Sequence, residues 1–551
     1  MKQYVIGIDF GTLSGRAVLA DPATGEILES SVYHYKNGVI DRFLPGASTP
    51  LEADTALQDP DDYLDVLKFT VPWLLEKTGI SPAQIAGVGV DFTASSPLPC
   101  HADGTPLCKD PQWRHNPHAW VKLWKHHSAQ PEADEINRLG RQRGEFFIEN
   151  YGGKYSSEWF FSKLLQVLHD APDLYRACDR WIEAGDWIVW KLTGHEVRSQ
   201  CFAGYKGMWV NAYGDGWAFP HPDFFLGLSP GLVDLYDRKL SMKLHPLGTV
   251  AGHLCHEAAH LTGLREGTPV AVGVIDAHAA VPACGVGGPG KMVMIMGTST
   301  CNMLLTDSYR PVEGICGAVH NGILPGCWGY EAGQSAAGDM LGWFVENGVP
   351  ESFAQKARAQ GLDLHSALTR DASALRPGQS GLLALDWWNG NRSTLVDAGL
   401  TGCLFGLKLS TSPPEIYRAL VEATAFGQHR IFDAFESSGI PINEVYACGG
   451  LTQNRWLMQA YADILGRPIF TAATEHATAL GSAIHAAVAC GLHRDFPAAI
   501  DAMSSLNPDP FIPDFHRHAR YAEIYREYSV LYDLLGRHQL PTLGQLRRLS
   551  E

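Results

Sequence analysis

Three segments of this chain place glycine and hydroxyl residues directly after an apolar run, a composition suited to gripping phosphate. The first is Asp9-Phe10-Gly11-Thr12-Leu13-Ser14. Gly11 lets the backbone approach an anion, and the Thr12 and Ser14 hydroxyls can donate to its oxygens. Asp9, at the end of the run, can hold magnesium directly or through water. The second segment is Gly297-Thr298-Ser299-Thr300, in the other half of the chain. The third is Gly449-Gly450, followed by Asn454, where a flat adenine ring could slide against backbone. One such turn alone is as readily structural as functional. Three in one chain point to a nucleotide.

Those residues need strands that end where they stand. Five apolar runs read as buried strands, each stopped by Gly, Asp, Ser or Thr. They are Tyr4 to Ile8, Ile85 to Val90, Val270 to Ile275, Met292 to Met296 and Val445 to Cys448. The second stops at Asp91 and the third at Asp276. Ligands of open α/β sheets bind at the carboxyl ends of strands. Five polar strand ends spread over both halves therefore predict one cleft between two α/β domains.

Helices fill the gaps. Ser412-Pro413-Pro414-Glu415 combines a capping-box pattern with prolines in the first turn. Trp456, Ala460 and Ile464 form an apolar stripe, and Ala477 to Ala489 is small enough to pack tightly on a sheet. Tyr525 to Leu535 reads as an amphipathic packing helix. The Gly- and Pro-rich stretch from Pro282 to Gly290 predicts the domain boundary. The expected division is residues 1–285, residues 286–500 and a C-terminal helical extension over 501–551. The strand-then-Gly/Thr turn shared by both halves suggests distant internal similarity.

Composition narrows the class. Of the 551 residues, 45% are hydrophobic and 19% charged, which excludes a disordered chain. A formal charge of −16 argues against a nucleic-acid or anionic-membrane surface. No stretch approaches the roughly 20 apolar residues of a membrane span. The opening Met-Lys-Gln meets Asp9 within its apolar run, unlike a signal peptide. Twelve cysteines without a Cys-x-x-Cys read as reduced thiols of a cytoplasmic protein.

Two motifs suggest other chemistry. His256-Glu257-Ala258-Ala259-His260 has the spacing of a zinc-protease helix. The third ligand position of the longer zinc pattern holds Glu266, so a polar surface helix is the better reading. Gly285-Val286-Gly287-Gly288-Pro289-Gly290-Lys291-Met292 nearly matches a P-loop. Met292 replaces the magnesium-binding hydroxyl, and a strand pattern follows where a helix is required. A turn entering a β-hairpin is expected there.

The run Gly402-Cys403-Leu404-Phe405-Gly406-Leu407, then seven residues, then Glu415-Ile416-Tyr417-Arg418-Ala419-Leu420-Val421-Glu422 resembles the C-terminal signature of the FGGY family of carbohydrate kinases. The resemblance covers about residues 3 to 500. It implies the two-domain α/β fold of the sugar kinase/actin/Hsp70 superfamily, ribonuclease H-like in each half, with a cleft between domains. It implies ATP and Mg2+ as cofactors. Phosphate turns fall at Gly11, Thr12 and Ser14 and at Gly297, Thr298 and Ser299, with Gly449, Gly450 and Asn454 at the adenosine. Thr298 and Gln334 would flank the phosphate route, and Asp9 would place the magnesium through water. Asp276 matches the family's catalytic base. A carboxylate within reach of a sugar hydroxyl can take its proton as the oxygen attacks the γ-phosphorus.

Within the family, Val90 to Pro97, Leu123-Trp124-Lys125, Tyr155 to Trp159, Gly314-Ile315-Cys316-Gly317 and Glu331-Ala332-Gly333-Gln334-Ser335 resemble the ribulose-phosphorylating members. Phe92 departs from a small polar residue there, and His126 from an acidic one. Glycerol-phosphorylating members carry an Arg-Glu pair where this chain has Thr93-Ala94-Ser95. The resemblance implies a sugar pocket of Ala94, Lys206, Asp276 and Glu331, with Trp124 as a flat face. The implied reaction converts L-ribulose, and also D-ribulose, to the 5-phosphate in arabinose catabolism, with the domains closing to exclude water. Implied partners are a pentulose and ATP, no nucleic acid and no membrane; a homodimer is allowed. The rival readings are a xylulose or other pentulose kinase, a non-catalytic actin/Hsp70-like ATP-binding module, and the zinc protease.

Overall fold

The computed structural model describes residues 2–212, 216–537, 540 and 542–550. Tyr4–Phe10 (β1) turns back at Gly11 into Ser14–Ala20 (β2), and Ile27–His34 (β3) continues the antiparallel meander. The helix Pro60–Thr78 (α1) starts at Asp59, whose side chain accepts from the Asp61 amide. It leads into Ile85–Phe92 (β4), which pairs with β1 in parallel. Val250–His253 (β5), Pro269–Ala271 (β6) and Val274–Ile275 (β7) complete a seven-stranded sheet. Its order is β5-β6-β4-β1-β2-β3, with β7 also paired to β4. The single strand expected over Val270 to Ile275 is thus two short ones. Val270 faces Val88 and Val274 faces Asp91, so one extra residue bulges between them.

Lys291–Met296 (β8) turns at Gly297 into Thr300–Thr306 (β9). Gly317–His320 (β10), Trp328–Gln334 (β11), Glu444–Cys448 (β12) and Ile469–Thr471 (β13) join them in the order β10-β11-β9-β8-β12-β13. β8 pairs antiparallel with β9, β9 antiparallel with β11, and β8 parallel with β12. This repeats the arrangement of β1, β2, β3 and β4. The shared turn of the two halves is therefore the same hairpin in two copies of one motif. The near-P-loop from Gly285 runs into β8, a strand.

Between β4 and β5, Phe160–Asp170 (α2) and Gln200–Lys206 (α3) belong to an aromatic-rich cluster of buried residues that includes Tyr151, Tyr155, Trp159 and Trp181, and its neighbours. Asp276–Ala283 (α4) follows β7 directly. In the second half come Pro413–Ser437 (α5), Arg455–Leu465 (α6), Ala477–Ala489 (α7) and Phe515–Gly536 (α8). The Glu415 carboxylate accepts from the Ser412 amide at 2.8 Å at the start of α5. α8 buries Tyr521, Tyr528 and Tyr532 in the second core.

α7 crosses from one half to the other. It follows the second sheet in the chain but lies on the first. A Cβ at Gly7 of β1 would stand 1.9 Å from the Ala479 carbonyl, and one at Gly89 of β4 1.9 Å from that of Ser482. On its other face, a Cβ at Gly481 would stand 1.7 Å from the Ala279 carbonyl of α4. Only glycine permits these approaches. No helix of the described residues is long and apolar enough to cross a membrane. All twelve cysteines are free thiols.

Candidate active site

The carboxyl ends of β1, β4 and β7 bring Asp9, Asp91 and Asp276 together. Thr478 of α7 donates to Asp9 Oδ2 at 2.8 Å, and Ser482, one turn on, donates to Asp91 Oδ2 at 2.6 Å. Asp91 is wholly buried, and burial with the Asp9 charge beside it holds its carboxyl well above the ordinary range. Asp276 opens α4, where its Oδ1 accepts from the Ala277 amide at 2.7 Å. Burial first, and the Asp9 charge second, push its pKa up to about 7. A carboxylate so tuned is a competent proton acceptor near neutrality.

Beside Asp276 lies a cavity of about 240 Å³ lined by Thr12, Ala94, Trp124, Glu158, Lys206, Thr298, Ser299, Glu331 and Arg392, among others. Lys206, the last residue of α3, donates to Glu331 Oε1 of β11 at 2.7 Å. His278, one residue beyond Ala277, meets Glu331 Oε2 at 3.2 Å. Burial disfavours the Lys206 charge, but Glu331 outweighs it and holds the ammonium above its usual pKa. Burial likewise opposes the Glu331 charge, yet Lys206 and His278 hold that carboxyl well below the usual range. The pair is a buried, ionised donor and acceptor, suited to hydroxyl or carbonyl oxygens.

The loop after β4 is held open as a wall of this cavity. Ser95 has a left-handed φ of 61°. Its carbonyl accepts from Lys163 at 2.6 Å, and the Ser96 amide donates to Glu183 at 2.8 Å. Lys163 also reaches the Leu123 carbonyl at 2.8 Å, tying the Trp124 segment to the same wall. Phe92 and His126 stand elsewhere. Phe92 stacks on Phe10 in the core, with ring centroids 5.2 Å apart, and His126 is buried against Gln166 and the Ala56 amide. Neither lines the cavity.

A larger cavity, about 1020 Å³, opens on the second half. Gly297, Thr298, Trp343, Thr369, Gly450 and Asn454 are among its lining residues. Thr298 lines both cavities, so the two adjoin at the turn between β8 and β9. Gly450 is open there, with nothing within 4 Å of a Cβ position. Gly449 adopts φ 98°, and its Cβ would stand 2.5 Å from the Met296 carbonyl, which fixes that strand end against β8. Asn454 caps α6, accepting from the Leu457 amide at 3.1 Å. In the first turn, the Gly11 amide donates to the Ser14 carbonyl at 3.0 Å, and Thr12 accepts from the Trp124 indole at 3.1 Å.

Of the expected site residues, Asp9, Gly11, Ser14 and Gly449 stand at strand ends and turns without lining either cavity, and Gln334 is turned away from both. Side chains alternate along β11 and just beyond it, so Glu331 and Ser335 line the small cavity while Gln334 points into the core. It donates to Asp386 and to the Thr424 carbonyl, both at 2.8 Å, and lines neither cavity. Ser335 takes the place on the cavity side. Sequence reasoning passed over His278 and Arg392; for His278 the signal was its place two residues after Asp276. Among the described residues no cluster of three or more His, Cys, Asp or Glu could hold a metal ion unaided. Asp9 and its carboxylate neighbours suit instead a magnesium carried largely by phosphate oxygens, which needs only one or two carboxylates. His256 is 81% exposed and faces Glu266 at 3.3 Å.

Models of the FGGY family of carbohydrate kinases match the chain twice, the N-terminal domain over residues 4–282 and the C-terminal domain over 292–490. The chain is 50% identical over 555 aligned residues to a ribulokinase of Geobacillus thermodenitrificans, covering 100% of this chain and 98% of that one. It is 46% identical over 546 residues to a ribulokinase of Mycolicibacterium smegmatis, covering 99% and 96%. Among solved structures, a ligand-bound xylulose kinase from Lactobacillus acidophilus superposes with a TM-score of 0.78 at 19% identity, covering 97% of this chain and 98% of that one. A glycerol kinase from Plasmodium falciparum with ADP gives 0.74 at 14% identity, covering 97% and 99%. These two likenesses speak for the fold alone.

Proposed function

This chain belongs to the FGGY family of carbohydrate kinases, and on that premise we propose that it transfers the γ-phosphoryl group of ATP to the 5-hydroxyl of L-ribulose, and of D-ribulose. The observation that carries the sugar is identity of 46 to 50% over essentially the whole chain to proteins named ribulokinase. The shared fold would equally suit xylulose or glycerol.

In this reading the ketose occupies the smaller cavity. Lys206 donates to its oxygens, Glu331 accepts from its hydroxyls, and Ala94 and Trp124 shape the wall. Asp276 takes the proton of the 5-hydroxyl as that oxygen bonds to the γ-phosphorus. The bond from the γ-phosphorus to the bridging oxygen breaks, and ADP leaves with the electron pair. The adenosine lies along Gly450 and Asn454, and the phosphates reach Thr298 past Gly297, between the Ser299 hydroxyl and the first turn at Gly11, Thr12 and Ser14. Asp9 would hold magnesium, which when bound neutralises phosphate charge. The expected division into residues 1–285, 286–500 and 501–551 needs correcting on two counts, since α7 packs on the first sheet and α8 completes the second core; the site, in a cytoplasmic protein, closes between the two halves.

A panel of L-ribulose, D-ribulose, D-xylulose and glycerol with coupled detection of ADP tests the reading. The ribuloses should give the highest kcat/KM. Higher values on xylulose or glycerol, or no sugar-dependent ADP, would reject it.

A further inference from the structure

Arg392 reaches the smaller cavity from a segment that no strand end supplies. Its guanidinium stacks over the Trp124 ring at 5.2 Å and donates to Glu158 at 3.4 Å. The side chain is 17% exposed, and its Nε is buried without a hydrogen-bond partner. A guanidinium carries five N–H donors. This one lines the cavity and commits one bond, from Nη2 to Glu158, so terminal donors remain there.

Its position is specific. Trp124, beneath it, donates to Thr12 in the first phosphate turn. On the other side, a Cβ at Gly333 would lie 3.4 Å from Arg392 Cδ. Gly333 faces Cys301, two residues beyond Ser299 of the second turn. The guanidinium thus lines the same cavity as Thr12 of the first turn and Thr298 and Ser299 of the second.

The segment is also braced. Ser393 Oγ accepts from the Gly333 amide at 3.1 Å. The Tyr532 hydroxyl of α8 accepts from Asn391 Nδ2 at 3.2 Å, and Lys154 donates to the Val396 carbonyl at 2.8 Å. Bracing from both halves pre-pays the ordering of a long side chain.

We propose that Arg392 is a further substrate-contacting residue, whose guanidinium hydrogen-bonds the phosphoryl group as it arrives on the sugar and in the phosphorylated product. The inference rests on the ribulose-kinase reading above. Charge-assisted bonds to a phosphate exceed those to a neutral hydroxyl. Arg392 therefore favours phosphorylated over free ketose.

The test is binding of L-ribulose and of L-ribulose 5-phosphate to nucleotide-free protein by calorimetry, with kcat measured alongside, for the wild type, Arg392→Met and Arg392→Lys. In Arg392→Met the affinity for the sugar phosphate should fall at least about tenfold, that for the free sugar by less than about threefold, and kcat at least about tenfold. Arg392→Lys should recover part of the phosphate affinity. Equal losses for both ligands, or an unchanged sugar-phosphate affinity, would overturn the proposal. Should the Met variant fail to fold, an unchanged ratio of the two affinities in the Lys variant overturns it. A wild type that turns over ribulose with this ratio insensitive to position 392 rejects this inference alone. A wild type that neither binds nor phosphorylates ribulose rejects the functional reading with it.

Discussion

Replacing Asp276 with Asn should make the protein slower and more stable at once. The carboxyl's pKa is pushed from 3.8 up to about 7 by burial and by Asp9. A raised carboxyl pKa means that folding costs free energy whenever the group is ionised. Its contribution is fully favourable below the unfolded value near 4 and is lost as pH rises through 7. A difference of about 3 units at 1.36 kcal/mol each sets a ceiling near 4 kcal/mol. The carboxylate faces the cleft, and solvent screening there reduces this to about 1–2 kcal/mol. Asn is nearly isosteric and cannot ionise, so the variant should melt higher than the wild type at pH 8. The gap should close as pH falls toward 4. In the same preparation kcat should drop by roughly 10² or more, because no group remains to take the sugar proton. Thermal melts from pH 4 to 8 and a coupled ADP assay measure both. A variant of equal or lower melting temperature at pH 8, or one of near-normal turnover, would refute the assignment.

Other consequences are as direct. The wild-type kcat/KM for the sugar should fall about tenfold per pH unit below about 7 and level off above it, since Asp276 must be ionised to accept a proton; a flat profile from pH 5.5 to 8 would contradict this. Lys206→Met strips the buried Glu331 of its cation, so stability should fall by about 3 kcal/mol and the sugar KM should rise, while the KM for ATP stays near wild type. Gly481→Ala places a methyl 1.7 Å from the Ala279 carbonyl and should cost about 1–3 kcal/mol or more in a urea melt; an unchanged midpoint would mean the two helices do not pack as described. Tyr532→Phe removes the hydroxyl that bonds Asn391 and Thr394 on either side of Arg392, so affinity for the sugar phosphate should fall a few-fold with the ATP KM unaltered.

Much of the candidate site could be read from the residues because turns suited to phosphate are local devices. A glycine and two hydroxyls within six positions of a strand end make a turn wherever the chain folds, and the turns at Gly11 and Gly297 are such hairpins. Asp276 stood out because it stops an apolar run. The capping pattern at Ser412 and the small helix from Ala477 were likewise legible, since both follow from near-neighbour chemistry. The sequence also carried the family, through a signature confined to one short stretch.

Other features depended on pairing across long separations. The break in the run from Val270 comes from its register with β4, more than 170 residues earlier. Gln334 looked like a site residue in its motif, but strand alternation turned it toward Asp386 and left Ser335 in its place. Phe92 and His126, departures in the text of the chain, proved to stand in the core. Arg392 carried no local signal at all. Its position depends on Ser393 meeting Gly333, on Lys154 from the first half, and on Tyr532 from a helix near the end of the chain. The sequence by itself determined which segments can make strands, turns and phosphate contacts, because those preferences are local. Only the tertiary structure decided which of them face one cavity, because burial and long-range hydrogen bonds select a side chain's partners after its backbone is placed.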